Sequence, residues 1–226
     1  MHRAEGAAVN RSTRINVATV GAVFGLSGMS HGLFEALQGR VPTPGLFVSA
    51  IGEAQRMWPH GSEPAFTVIP NFLATGIAAM VVGLALIVWS LGFVHRRRGP
   101  AVFLGLFVLL LLVGGGVAQV LFFPFFWLAS TRIRAPLGWW RGVLRAPLRA
   151  RLARGWPWFL ALSAALLVCA LVIATTGFVP GVDDPEVVLG VMLGCLLAVA
   201  LLLPLAFVSG FARDLGARQV AAIRPA

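Results

Sequence analysis

Two ionisable residues one helical turn apart, His31 and Glu35, sit inside an apolar stretch that runs from Ile15 to Leu37. At this spacing both project from one face of a helix. A carboxylate beside an imidazole favours the charged form of each, so the pair can hold or relay a proton. The same side chains can supply two metal ligands. Zinc and non-haem iron use about three or more protein ligands, so a metal centre at His31 and Glu35 needs further groups. His60 and Glu63 in the following loop are the candidates, with Glu53 and Asn71 as reserves. A third use is packing, in which His31 and Glu35 bond each other and neighbouring serine or asparagine groups and fix the first two helices. A fourth is a polar path through His31, Glu35, Gln38, Asn71 and Gln119. HExxH, GxSxG and phosphate-loop patterns are absent from the chain, so no cofactor is expected beyond the metal alternative.

The elements that position these residues follow from composition. Of 226 residues, 58% are hydrophobic and 12% charged, and the mean hydropathy is +0.88. Apolar runs long enough to cross hydrocarbon, roughly 20 helical residues each, recur along the chain. The expectation is an all-α integral membrane protein forming a single membrane domain, residues 1–226, a bundle of about five hydrophobic segments near 15–37, 66–94, 100–130, 158–178 and 187–211. A loop over 39–65 and a basic interfacial segment over 132–155 complete it.

Charge gives the threading. The net charge is +10, and all 18 basic residues are arginine. In a soluble protein this would point to nucleic acid; beside apolar spans, cytoplasmic retention and anionic lipid account for it, and no nucleic-acid partner is expected. Arg3, Arg11 and Arg14 precede the first span in the manner of a signal peptide, but no small-x-small site follows, so the span is read as retained. Arg96-Arg97-Arg98 ends the second span, Asp183, Asp184 and Glu186 turn the fourth, and Arg213, Arg218 and Arg224 follow the fifth. Both termini are therefore expected in the cytoplasm, with the protein in the cell membrane.

A single crossing by 100–130 would put Arg132, Arg134 and the arginines up to Arg154 outside. Gly114-Gly115-Gly116 and Pro124 interrupt that stretch, and a re-entrant hairpin turning near Gly114 to Gln119 restores the charge rule. The basic segment beyond it carries Trp139, Trp140, Arg141, Arg145 and Arg149, which are expected to contact anionic lipid headgroups.

In the first span Gly21, Gly25, Gly28 and Gly32 line up beside Ser27, His31, Glu35 and Gln38, so another helix is expected to pack closely on the glycine line. In the loop, Thr43 and Pro44 suit a helix start. Phe47, Ala50, Ile51, Ala54, Met57 and Trp58 then follow at helical spacing, which predicts an interfacial amphipathic helix. Cys169 and Cys195 fall inside spans and read as small core residues.

The run Ser30-His31-Gly32-Leu33-Phe34-Glu35-Ala36-Leu37-Gln38-Gly39, the loop Pro42-Thr43-Pro44-Gly45, and Gly61-Ser62-Glu63-Pro64-Ala65-Phe66-Thr67-Val68-Ile69-Pro70-Asn71-Phe72, with Thr131-Arg132-Ile133 and Trp156-Pro157-Trp158, resemble a group of small bacterial multi-pass membrane proteins. The resemblance implies a bacterial membrane location and supplies no catalytic residues, the group having no established activity. The expected role is structural or partner-binding, through helix packing with a membrane protein or a second copy. A small transporter or channel-like component is the alternative, and a membrane-embedded metalloenzyme the second.

Overall fold

The computed structural model describes residues 9–223, except the side chains of 220–223; Arg3 and Arg224, used above for the threading, lie outside the described residues. The elements are α1 (Arg11–Leu37), β1 (Phe47–Ser49), β2 (Pro64–Phe66), α2 (Phe72–Gly92), α3 (Gly99–Leu112), α4 (Phe123–Ser130), α5 (Gly138–Val143), α6 (Ala146–Thr176) and α7 (Pro185–Ile223). Four helices, α1, α2, α6 and α7, are long and apolar enough to cross a membrane. The chain is an all-α helical bundle and a multi-pass membrane protein.

The glycine line of α1 is where α2 lies. Gly32 meets Gly76, and Gly25 meets Gly83, one backbone against the other: a Cβ built on Gly32 would stand 2.5 Å from the Gly76 carbonyl oxygen, and one on Gly83 would stand 2.6 Å from that of Gly25. Only glycine permits this approach, which adds Cα–H···O contacts worth about 0.5–1 kcal/mol each. Asn71 starts α2 by accepting the Ala74 N–H at 3.1 Å, satisfying one of the orphan donors of the first turn.

The third apolar stretch folds into a hairpin within the bundle. α3 begins beside the end of α2, where the Trp89 indole N–H donates to the Gly99 carbonyl at 3.1 Å. Its other end meets the start of α2: the Val68 N–H donates to Leu112 O, and the Gly114 N–H to Phe66 O, both at 2.9 Å. Gly114 and Gly116 then turn the chain with φ of +100° and +96°, a region that other residues avoid. α4 returns, and beyond it Ile133 O accepts the Asn10 N–H at 2.7 Å. Residues 99–130 thus leave and rejoin the same end of the bundle. Phe24, Phe107, Phe126 and Phe207 fill the space between α1, α3, α4 and α7; ring centroids of Phe24 and Phe126 are 5.3 Å apart.

The antiparallel pair α6 and α7 joins this body through polar contacts at the end where α1 begins. Asp214 of α7 accepts the Ser12 N–H at 2.9 Å, the Thr13 N–H at 2.9 Å and the Thr13 hydroxyl at 2.7 Å. Asn10 makes no side-chain cap for α1, so a carboxylate about 200 residues away satisfies the orphan donors and the positive end of the helix dipole. One turn further, the Trp156 indole donates to Asn16 Oδ1 at 2.8 Å, and Asn16 Nδ2 to Ala206 O at 2.7 Å.

Three local expectations are corrected. No amphipathic helix forms between Thr43 and Trp58. β1 pairs antiparallel with β2, Phe47 opposite Phe66 with rings 5.3 Å apart, and a short 3₁₀ turn covers Glu53–Gln55. Gln38 explains part of this, because its Nε2 donates to Ser49 O and Ala50 O at 3.1 and 2.8 Å, carbonyls that a helix would use internally. The fourth span belongs to a longer helix, which takes up Arg149, Arg151 and Arg154 and carries Pro147 in its first turn, where a missing N–H costs nothing. Cys169 is exposed on the outside of α6 rather than in the core, and Cys195 is half-buried.

A leucine at Gly32 is expected to push α1 and α2 apart and to cost about 1–3 kcal/mol, read as a lower unfolding temperature in detergent. The same change at Gly92, which has open space around it, should leave that temperature unmoved; equal effects at both would sink the seam.

Candidate functional site

The site begins where the loop hairpin crosses the polar face of α1. The turn into β2 holds Glu63 with φ +39°, and the Ala50 N–H fixes its carbonyl at 2.9 Å. This brings Glu63 Oε2 to 3.4 Å from His31 Nε2. Facing a carboxylate, Nε2 carries the proton, and Nδ1 is left without a hydrogen-bond partner among the described residues.

The glycine turn presses on the same face of α1. Gly116 lies so close to the His31 ring that a Cβ there would come within 2.8 Å of Cε1. Gly114 lies against the Glu35 carboxylate in the same way. Glu35 is wholly buried, and neither of its oxygens has a hydrogen-bond partner among the described residues. The turn is anchored from behind: the Thr75 hydroxyl donates to Val113 O at 2.8 Å, so Thr67 must donate its own to Thr75, at 2.5 Å. Gln119 is buried just beyond; its Nε2 donates to Gly115 O, and its Oε1 has no partner among the described residues.

Beside His31 opens a cavity of about 300 Å³ between α1, the 60–64 loop, the 115–122 segment, α6 and α7. Ser27, His31, His60, Ser62, Glu63 and Gln119 supply its polar wall, and Phe24, Phe122, Leu167, Leu171, Met192 and Leu196 its larger apolar side chains. The loop closes this side by two bonds to the α6–α7 pair. The Trp58 indole N–H donates to Ala174 O at 2.9 Å, and His60 Nε2 lies 3.0 Å from Glu186 Oε1. Trp58 is buried against Ile173 and Val188.

The sequence-derived candidates therefore separate. His31, His60, Glu63 and Gln119 share the cavity. Glu35 stands behind Gly114, Gln38 holds the loop hairpin, and Asn71 is occupied in capping α2. Of the four metal candidates, His31 pairs with Glu63 and His60 with Glu186; among the described residues no three His, Cys, Asp or Glu side chains come together as a metal-binding group. In the basic segment Trp139, Arg141 and Arg145 are exposed, Trp140 packs on Phe211 with centroids 5.0 Å apart, and an Arg149 guanidinium N–H donates to Gln219 Oε1 at 3.1 Å. Sequence reasoning missed Glu186, Asp214 and the α6–α7 wall of the cavity. Asp214 had a signal: it is the one acid between Arg213 and Arg218.

Comparison with known proteins yields no family model, no curated protein and no solved structure that matches this chain.

Contact between Gly114 and Glu35 should make substitutions at the two positions non-additive. Gly114→Ala is expected to lower stability by about 1 kcal/mol more in the wild-type background than in Glu35→Ala, where the carboxylate no longer occupies the space. Unfolding temperatures of the four proteins in detergent test this, and strictly additive shifts would remove the contact.

Proposed function

We propose that the protein is a small carrier of the bacterial cytoplasmic membrane, binding its solute in the cavity between the α1–α4 body and the α6–α7 pair. The observation that carries this reading is that the cavity lies between two groups of helices bonded to each other at both ends. Trp58–Ala174 and His60–Glu186 close the loop end; Asp214 with Ser12 and Thr13, and Trp156 with Asn16, close the opposite end. Each closure pairs a few polar bonds, of which a typical one contributes about 1 kcal/mol, with apolar packing, Trp58 on Ile173 and Val188 at the loop end and Phe207 on Phe126 towards the other. Breaking one closure at a time would expose the cavity first to one side and then to the other, the rocking motion of carriers with a midplane site.

The packing role expected for His31 and Glu35 has less support. The glycine seam already holds α1 to α2, and the His31 ring faces Glu63 and the cavity. The orientation follows from charge. Arg11, Arg14, Arg96 to Arg98, Arg132, Arg134 and the arginines from Arg141 to Arg154 share one end, which we assign to the cytoplasm. Arg141 and Arg145 then face the anionic headgroups of that leaflet.

The test uses a Cys169→Ala, Cys195→Ala protein with a single cysteine at Ala174 in the cavity wall, reconstituted in vesicles. His60→Ala is expected to speed its modification by an impermeant thiol reagent from the loop side, and Asn16→Ala from the arginine side. Access from the loop side alone in every variant would make the cavity a dead-end receptor site. No modification from either side would end the cavity reading.

A further inference from the structure

The acceptor chemistry of the cavity selects among solutes. We propose that its ligand is a compact organic cation, an ammonium or amidinium group on an apolar body of a few rings or branched carbons. This rests on the cavity being a solute site, as argued above.

Three observations converge. First, the cavity wall carries acceptors beside the Ser27 and Ser62 hydroxyls, which can act either way. Glu63 brings a carboxylate, 3.4 Å from His31 Nε2; Gln119 Oε1 and His31 Nδ1 are buried with no hydrogen-bond partner among the described residues. Both of these side chains are more than nine-tenths buried, so their unpartnered atoms are costly until a donor arrives. Second, among the described residues no arginine lines the cavity. An anion placed there would face the Glu63 carboxylate, with only the two imidazoles, each already set against a carboxylate, to oppose it. Third, two aromatic rings flank the acceptors: Phe24 and Phe122 line the wall with centroids 5.8 Å apart. Ring faces attract cations, the more so when water is excluded. Leu167, Leu171, Met192 and Leu196 add hydrocarbon and thioether to the lining, which suits an apolar body, and about 300 Å³ is at the small end of the range for ligand sites.

Three probes of nearly one shape separate the charge from the body: benzylammonium, which keeps its N–H donors, its neutral isostere ethylbenzene, and phenylacetate. Binding of each to the full-length protein in lipid nanodiscs is measured by equilibrium dialysis, with empty nanodiscs subtracted. Saturable binding of the ammonium is expected, about tenfold or more tighter than that of either other probe, the range of one charge-assisted contact. Glu63→Gln, which keeps the shape, should weaken it about tenfold, and Ala174→Leu should weaken it by filling the wall; far-UV circular dichroism and unfolding temperature establish that each variant is folded. Equal or tighter binding of the neutral or anionic probe, lost on Ala174→Leu, would overturn the cation assignment and leave the cavity as a solute site. Ammonium binding indifferent to both substitutions would place it outside the cavity and overturn the inference. Saturable binding of none of the three would also overturn it, while the carrier reading is decided separately by the thiol at position 174.

Discussion

Close backbone approach around α1 is the constraint on which the other features rest. On one side, Gly25 and Gly32 bring α2 to backbone contact. On the polar side, Gly114 and Gly116 bring an irregular turn against Glu35 and His31, at φ values that side-chain-bearing residues avoid. Irregular backbone within an apolar bundle is tolerated only where protein surrounds it and satisfies its polar groups. Thr75, Phe66 and Val68 perform that task for this turn and the helix end before it. With either glycine set replaced by larger residues, α1 would stand away from its neighbours, and its histidine and glutamate would face hydrocarbon.

The α6–α7 pair meets this body differently. Its two helices pack on each other along their length, but towards α1 the polar bonds concentrate at the ends, at Asp214 and Trp156 on one side and at Trp58 and Glu186 on the other. A cavity sits between the closures. Hydrocarbon contact is interchangeable between protein and lipid, so in a membrane the geometry of association is set largely by packing of small residues and by directed hydrogen bonds. The glycine seam holds one half together, and polar bonds at both ends, with Phe207 packed on Phe126 between them, join it to the other.

The cavity wall combines acceptors with aromatic rings. Carboxylate, amide and imidazole acceptors lie beside two phenylalanine rings, while the arginines are distributed to the far end and the surface.

Sequence alone determined the membrane class, through the length of its apolar runs; the glycine line of α1, through spacing; and the candidacy of His31, Glu35, His60, Glu63 and Gln119, through ionisable or amide groups at depth. These are local properties, carried by residue type and helical period. The loop between Gly39 and Ala65 defeated the same reasoning, because the apolar spacing of Phe47 to Trp58 satisfies a helix equally well, and the choice of a hairpin was made by Phe66 and by the distant Gln38 amide. Tertiary structure also decided which candidates meet. Glu63 reaches His31 from the turn that enters β2, His60 is taken by Glu186 at the start of α7, 126 residues away, and Glu35 is set apart by the thickness of one glycine. Asp214 closing the first turn of α1 belongs to the same kind. Such contacts depend on where the chain returns, and no local period encodes that.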